Sequence, residues 1–194
     1  MEKSYISAGD KFYRQRRGTA MGTAVATPFA NLYLHFKYRE TIKSVSKHFA
    51  YSRRYVDDGS MVVRNEAVIP QIITTLNNAS DLRITLEGQG SSVTYLDMTV
   101  SKGTRFQQEQ RLDIQVYTKP ISKFLYLHGK SSHPEHVFKG LIHGELVRFL
   151  RNTNSEQVWL QKVRFLFSKL AERIYTTKWL RKEFKKVKYS DRIA

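Results

Sequence analysis

The chain has no cysteine among its 194 residues, and it has only 17 acidic residues against 33 lysines and arginines. Without cysteine the protein can form neither a disulfide scaffold nor a zinc knuckle, and its composition fits a reducing interior. Long hydrophobic runs are missing too, since no segment approaches the roughly 20 apolar residues of a membrane span. The first residues lack a signal-peptide pattern. We therefore expect a soluble, intracellular protein with no membrane partner.

The scarcity of acidic residues leaves a net charge of +16, which calls for an anionic partner. Nucleic-acid phosphate is the commonest such partner, while an anionic membrane surface and simple solubility are the alternatives. The 11 tyrosines and 11 phenylalanines are interleaved with the basic residues, which favours nucleic acid. A hydrophobic content of 41% argues against global disorder and predicts one domain or two small lobes.

The first part of the chain shows mixed helix and strand patterns. Thr27 is a candidate helix N-cap followed by Pro28, and apolar spacing predicts a helix from there to about His48. A shorter amphipathic helix follows, in which Pro70 fits only near the first turn. Alternating patterns then predict three antiparallel strands within residues 82–89, 92–100 and 111–119.

Helical patterns dominate after Pro120, in residues 136–153 and 155–188, and Ser155 is suited to cap the second of these helices. The chain therefore divides, on composition, into a β-rich lobe of residues 1–119 and a helical lobe of residues 120–194. The predicted fold class is α+β.

The segment Tyr55-Val56-Asp57-Asp58-Gly59 lies between two strand-like runs and predicts a tight β-hairpin. Asp58 and Gly59 suit the positive-φ positions of its turn. Because side chains alternate along a strand, Tyr55 and Asp57 share one face, which makes Asp57 the better candidate for an inward-facing metal ligand. Taken alone, the same sequence is also typical of a solvated turn.

The Tyr-Val-Asp-Asp tetrad resembles the Tyr-x-Asp-Asp motif of reverse transcriptases, and the resemblance extends along nearly the whole chain. Upstream, the pattern is closest to the Penelope-like retroelement branch. It comprises Gln15, Gly18-Thr19-Ala20-Met21-Gly22, Pro28 and Ala30-Asn31-Leu32-Tyr33. Downstream, the segments RITLE, YLDMTV, VYTKP and SSHPEHVFKGLI resemble the same branch through the palm and into the thumb.

The resemblance implies a partial polymerase palm, formed of antiparallel strands with packed helices, followed by a helical thumb. The activity it implies is RNA-directed DNA polymerisation, in which Asp57 and Asp58 bind catalytic Mg²⁺. By the same resemblance, a further set of residues lies near the primer and nucleotide: Tyr55, Gln15, Gly18, Met21 and Gly22.

Nucleotidyl transfer requires two magnesium ions about 3.5–4 Å apart, held by carboxylates from at least two chain segments. In reverse transcriptases the other segment is a strand that precedes the glycine block, and the chain does not contain it. We therefore expect Mg²⁺ binding to be weak or absent and this chain alone to be inactive. An upstream segment or a second polypeptide would supply the fingers. Asp97 superficially resembles the missing strand, which leaves a permuted polymerase as an alternative to a structural aspartate.

The expected nucleic-acid contacts are basic residues in three places, with a solvated surface as the alternative for each. They are Arg16 and Arg17 beside the glycine block, Lys119 and Lys123 around Pro120, and Lys178, Arg181, Lys182 and Lys185 in the last helix. Basic residues at near-helical spacing beside apolar ones predict a thumb helix that lies along a duplex. The expected ligand is RNA or an RNA–DNA hybrid, which proteins recognise by shape and backbone.

Two further functions stay open. The chain fits a non-catalytic RNA-binding protein that derives from a retroelement reverse transcriptase and works within a ribonucleoprotein. It also fits, less well, an unrelated basic protein with a chance Asp-Asp turn. An active retroelement enzyme would act in the nucleus.

Overall fold

The computed structural model describes residues 5–16, 18–20 and 22–192, and it has an α+β fold of α-helices and small antiparallel sheets. The chain forms two compact units, Met1–Glu87 and Gly88–Ala194. None of the helices in the described part of the chain is long and apolar enough to cross a bilayer.

The first unit contains two β-hairpins and two α-helices. Its elements are β1 (Tyr5–Ala8), β2 (Lys11–Arg14), α1 (Ala26–Val45), β3 (Phe49–Tyr55), β4 (Asp58–Val63) and α2 (Ile69–Asn78).

Helix α1 begins two residues earlier than the capping pattern predicts. Val25 is the N-cap and makes no side-chain capping bond, so Thr27 lies within the first turn instead of capping the helix. A 3₁₀ turn, Ser46–His48, continues the helix to the predicted end. Pro70 lies in the first turn of α2, as its missing N–H requires.

The core of the first unit is small and lies between its two helices. Tyr38 and Val45 of α1 and Ile72 and Leu76 of α2 are buried there. Partly buried residues at the base of the β3–β4 hairpin and elsewhere pack against this core, among them Phe49 and Val63. The hairpin base is therefore held by the same apolar cluster that joins the helices.

The strand predicted within residues 82–89 does not form. The Asn77 side chain accepts a hydrogen bond from the Ile84 N–H at 2.7 Å and donates one to the Ile84 carbonyl at 2.9 Å. Since this amide occupies both backbone groups of Ile84, the segment follows α2 as an irregular extension and joins no sheet.

The second unit places a three-stranded sheet beside three longer helices. Its elements are β5 (Ser92–Tyr95), β6 (Met98–Ser101), α3 (Thr104–Glu109), β7 (Asp113–Val116), α4 (Glu135–Arg151), α5 (Glu156–Glu172) and α6 (Thr177–Phe184). The sheet is antiparallel in the order β5-β6-β7.

Strand β7 packs against the helices of the second unit. Val116 is buried in the cluster that contains Leu166, Leu170 and Leu180. Asn154, between α4 and α5, exchanges backbone bonds of 3.0 Å with Ile114 through its N–H and side-chain oxygen. The predicted lobes of residues 1–119 and 120–194 thus do not coincide with the two units, because these long-range contacts join the sheet to the helices.

The long helix predicted over residues 155–188 is two helices. Ser155 caps the first, α5, by accepting a bond from the Val158 N–H, as predicted. The helix ends at Glu172, and Ile174 then adopts a left-handed φ of +67°. The Tyr175 N–H returns to the Leu170 carbonyl, and the next helix begins at Thr177. Four residues therefore separate α5 from α6.

Candidate nucleic-acid interface

The Tyr-Val-Asp-Asp segment forms the tip of the β3–β4 hairpin, as predicted. Tyr55 pairs with Asp58, so Val56 and Asp57 are the two residues of the turn. The predicted positive φ at Asp58 and Gly59 is wrong, because both residues begin β4 and pair with β3. Instead, Val56 has a φ of +51°. Because Asp57 lies in the turn, strand alternation does not determine on which face of the hairpin its side chain lies.

The hairpin tip is exposed and attached to α1. The Tyr55 side chain is 62% exposed, and Asp57 and Asp58 are also exposed. Arg54 donates a 2.9 Å hydrogen bond to the Asn31 side-chain oxygen and so joins the tip to the helix. This attachment places the two carboxylates beside the start of α1.

Two adjacent carboxylates are a partial set of Mg²⁺ ligands. Magnesium binds proteins through one or two carboxylates, with water and substrate phosphates in its other positions. Among the described residues, no group of three or more histidine, aspartate or glutamate side chains is placed to hold a metal ion. Asp57 and Asp58 together could supply two ligands at most, and any ion bound there would need its further ligands from elsewhere.

A second hairpin has the same pattern as the first but a different environment. In Tyr95-Leu96-Asp97-Met98, Tyr95 pairs with Met98 and Leu96 has a φ of +55°. Asp97, however, accepts bonds from Asn152 at 2.9 Å and Arg148 at 3.4 Å. Its carboxylate thus joins the sheet to the end of α4, which is a structural role.

The glycine block is described in part. Gly18 and Gly22 adopt φ values of +76° and +89°, a region that favours glycine. Gln15 is half-buried and Arg16 is exposed. Arg17 and Met21 lie outside the described residues.

Helix α6 separates its apolar and basic residues. Leu180 is fully buried in the cluster that contains residues of α4 and α5, whereas Lys178, Arg181 and Lys182, together with Lys185 at the C-cap of α6, are exposed. Within the described part of the chain, none of these four cations lies within 4 Å of a carboxylate. The basic face predicted from the sequence is therefore present and available to phosphates.

Lys119 and Lys123 line an open groove of about 600 Å³. The Tyr126 hydroxyl in this groove donates a 3.2 Å hydrogen bond to Glu145. Burial, together with the Glu145 carboxylate, raises the pKa of Tyr126 to about 12. The groove is not predicted from the sequence, although the alternation of aromatic and lysine residues between positions 117 and 126 is a signal for it.

The helical part of the second unit is similar to a known family. A family model described as an animal helix-turn-helix domain matches residues 125–185, which include α4, α5 and α6. The match covers less than half of the chain. No curated protein and no solved structure matches the chain.

Proposed function

We propose that the protein binds nucleic acid through α6 and is the palm-and-thumb part of an RNA-directed DNA polymerase that resembles the Penelope-like branch. The exposed cations of α6 carry this proposal. They stand on a helix whose other side is anchored by the fully buried Leu180, so their positions are fixed before a ligand binds. Fixed cations that form no ion pair within 4 Å among the described residues are suited to neutralise backbone phosphates.

The α5–α6 arrangement supports binding to a duplex. Two helices joined by a short turn are a recurrent nucleic-acid-binding arrangement, in which the second helix meets the duplex. The similarity of residues 125–185 to a helix-turn-helix family supports the same role. For an RNA–DNA hybrid, contacts to the backbone suffice, because such a duplex is recognised by its shape.

The β3–β4 hairpin is the proposed primer-end element. Its tip presents Asp57 and Asp58 beside the exposed Tyr55, which is the arrangement expected for side chains that meet a primer terminus. Bound Mg²⁺ would neutralise charge on the attacking and leaving oxygens of nucleotidyl transfer. The protein's part would be to hold the hairpin against α1 through Arg54 and Asn31.

The second candidate function is non-catalytic RNA binding within a ribonucleoprotein. It is favoured by one observation: in the described part of the chain, Asp97 is engaged by α4 and Asp57 and Asp58 come from a single segment. This candidate shares the α6 contacts and differs in requiring no chemistry at the hairpin.

The test replaces Arg181, Lys182 and Lys185 together with alanine and measures affinity for an RNA–DNA hybrid at several salt concentrations. The variant should bind more weakly to all sequences. Its slope of log affinity against log salt should be flatter by roughly two to three, since each lost phosphate contact removes about 0.9.

A matched control replaces Lys47, Arg64 and Arg83, which are also exposed, with alanine. This control variant loses the same net charge as the α6 variant. Any difference in affinity or salt slope between the two variants therefore reflects where the lost charges lie. Equal affinity and slope for the α6 variant and the wild type would reject α6 as the binding face. Equal losses in the two variants would show attraction by net charge alone.

A further inference from the structure

We propose that the groove lined by Lys119 and Lys123 binds an unpaired nucleic-acid strand, with a base stacked on Tyr117. This inference rests on the proposed nucleic-acid-binding function and assigns a second ligand class, single strands, to a separate surface of the same unit. The groove is formed by residues 117–126 and by Glu145 and Arg148 of α4.

Backbone hydrogen bonds fix the groove segment. The Tyr117 N–H donates to the Asp97 carbonyl at 2.8 Å, and the Ser122 N–H closes a turn onto the Lys119 carbonyl at 2.9 Å. At the far end, Arg173 donates from its Nε to the Tyr126 carbonyl at 2.9 Å. The segment thus has a defined shape without any ligand, which lowers the entropic cost of binding one.

Apolar side chains project from this fixed segment into solvent. Ile121 is 85% exposed and Leu125 is 73% exposed. Between them, Phe124 has a φ of +49°, an unfavourable conformation for a bulky residue, and its ring packs edge-on against Phe165 at 4.7 Å. Strain and exposed apolar surface in one fixed segment are characteristic of a binding site.

Tyr117 offers an aromatic surface in the groove. Its side chain is half-buried, and among the described residues it has neither an aromatic ring partner nor a hydrogen-bonded hydroxyl. The nearby Tyr126 differs, because its hydroxyl is bound to Glu145. Tyr117 is therefore the groove tyrosine on which a planar base can stack.

The charges at the groove suit a phosphate backbone outside and a neutral base inside. Arg148 lies 3.0 Å from Glu145 and 3.4 Å from Asp97, so its charge is compensated. Lys119 and Lys123 are exposed, and neither forms an ion pair in the part of the chain that the structure describes. Two uncompensated cations beside an aromatic surface match one strand of phosphates and bases.

This chemistry differs from that of α6 and favours a single strand over a duplex. The exposed residues named on α6 are cations, which contact phosphates whether or not the bases are paired. The groove combines Tyr117, Ile121 and Leu125, whose apolar surfaces can contact base faces only when the bases are unstacked and unpaired.

The test measures binding of an end-labelled oligouridine strand and of an RNA–DNA hybrid by fluorescence anisotropy. Tyr117→Ala should weaken single-strand binding by about 5- to 100-fold, and Tyr117→Phe should retain it, because stacking needs the ring and not the hydroxyl. Hybrid affinity should be unchanged in both variants. Replacing Lys119 and Lys123 with alanine should flatten the single-strand salt slope by roughly 1.4.

A second readout does not depend on the stability of any variant. An iodouridine-substituted strand, photocrosslinked to the wild-type protein, should attach to the peptide that contains Tyr117. Crosslinks only elsewhere, or wild-type single-strand affinity in Tyr117→Ala, would overturn the groove assignment while leaving the α6 proposal standing.

The experiments can also reject the α6 proposal while the groove proposal stands. If the α6 variant bound the hybrid as tightly as the wild type does, while single-strand binding still depended on Tyr117, α6 alone would be rejected. Failure to bind either nucleic acid would reject both. Binding to phosphatidylserine vesicles that requires Ile121 and Leu125, without single-strand binding, would assign the groove to a membrane surface and overturn the inference.

Discussion

Val56 is held in a backbone conformation that branched residues rarely adopt, since it has a φ of +51° in the β3–β4 turn. Its position is set by the pairing of Tyr55 with Asp58 and by the hydrogen bond from Arg54 to Asn31. Leu96 has a similar φ in the β5–β6 turn. In both hairpins a tyrosine precedes the strained residue and an aspartate follows it, so strain accompanies the placement of a carboxylate.

We expect Val56→Asn to raise the free energy of unfolding by about 1 kcal/mol, because asparagine tolerates the left-handed region better than a branched residue does. Urea denaturation followed by circular dichroism would measure the change. Val62→Asn is the control, since Val62 lies within β4 and has no positive φ to relieve; at 42% exposure it is more accessible than the half-buried Val56. A less stable Val56→Asn protein would show that the valine side chain contributes more through packing than it costs through strain.

The hairpin tip could be predicted from the sequence, but the turn residues could not. Two β-like runs around Tyr55-Val56-Asp57-Asp58-Gly59 locate the hairpin. The same pattern favours a turn at Asp58 and Gly59, because these residues accept a positive φ most readily. The actual register depends on the packing of Phe49 and Val63 against the helices, which is a tertiary effect.

At the scale of elements, the turn at Gly129 lies directly against the turn that joins α5 to α6, and this contact fixes the distance between the two turns. The Gly129 N–H donates to the Arg173 carbonyl at 2.8 Å. A side-chain carbon at Gly129 would lie 2.8 Å from the Ile174 carbonyl oxygen, which is backbone and cannot rotate away. Only glycine fits this approach without movement of one of the two turns.

We expect Gly129→Ala to lower the free energy of unfolding by about 1–3 kcal/mol through this overlap. Gly144→Ala is the matched control on the exposed side of α4, where nothing lies within 4 Å. It should raise the free energy of unfolding by about 0.5–1 kcal/mol through helix propensity. Thermal unfolding of both variants would measure the two changes in stability. Equal changes for Gly129→Ala and Gly144→Ala would contradict the close approach at Gly129.

The separation of α5 from α6 shows why element boundaries can escape sequence analysis. Residues 173–176 contain neither glycine nor proline, so the helical pattern continues through them. The break comes from contacts distant in sequence, since Gly129 and Tyr126 both bond to Arg173. By contrast, the Ser155 cap of α5 is local and could be predicted from the sequence.

At the scale of the whole molecule, the α+β class follows from the patterns, whereas the division at Gly88 does not. Composition changes near Pro120, but the contacts of Val116 and Asn154 assign the preceding sheet to the helical unit. Such long-range contacts leave no periodic signal in the sequence, and the change in composition therefore marks the change from strands to helices and not the limit of a unit.

We expect the isolated 194-residue chain to show no primer extension with either magnesium or manganese, because Asp57 and Asp58 supply carboxylates from one segment and the reaction requires two. A primer-extension assay on an RNA template would check this. Template-dependent synthesis that disappears in Asp57→Ala would contradict the expectation, and Asp97→Ala would then show whether the second hairpin supplies the other carboxylate.

The second unit has 20 lysines and arginines but only nine aspartates and glutamates. Its cations on α6 repel one another as long as no polyanion is bound, and this repulsion works against the compact state. Dissolved salt therefore has opposite effects on the two properties of this unit. Screening weakens its attraction for phosphates and, by relieving the same repulsion, makes the unbound fold more resistant to heat.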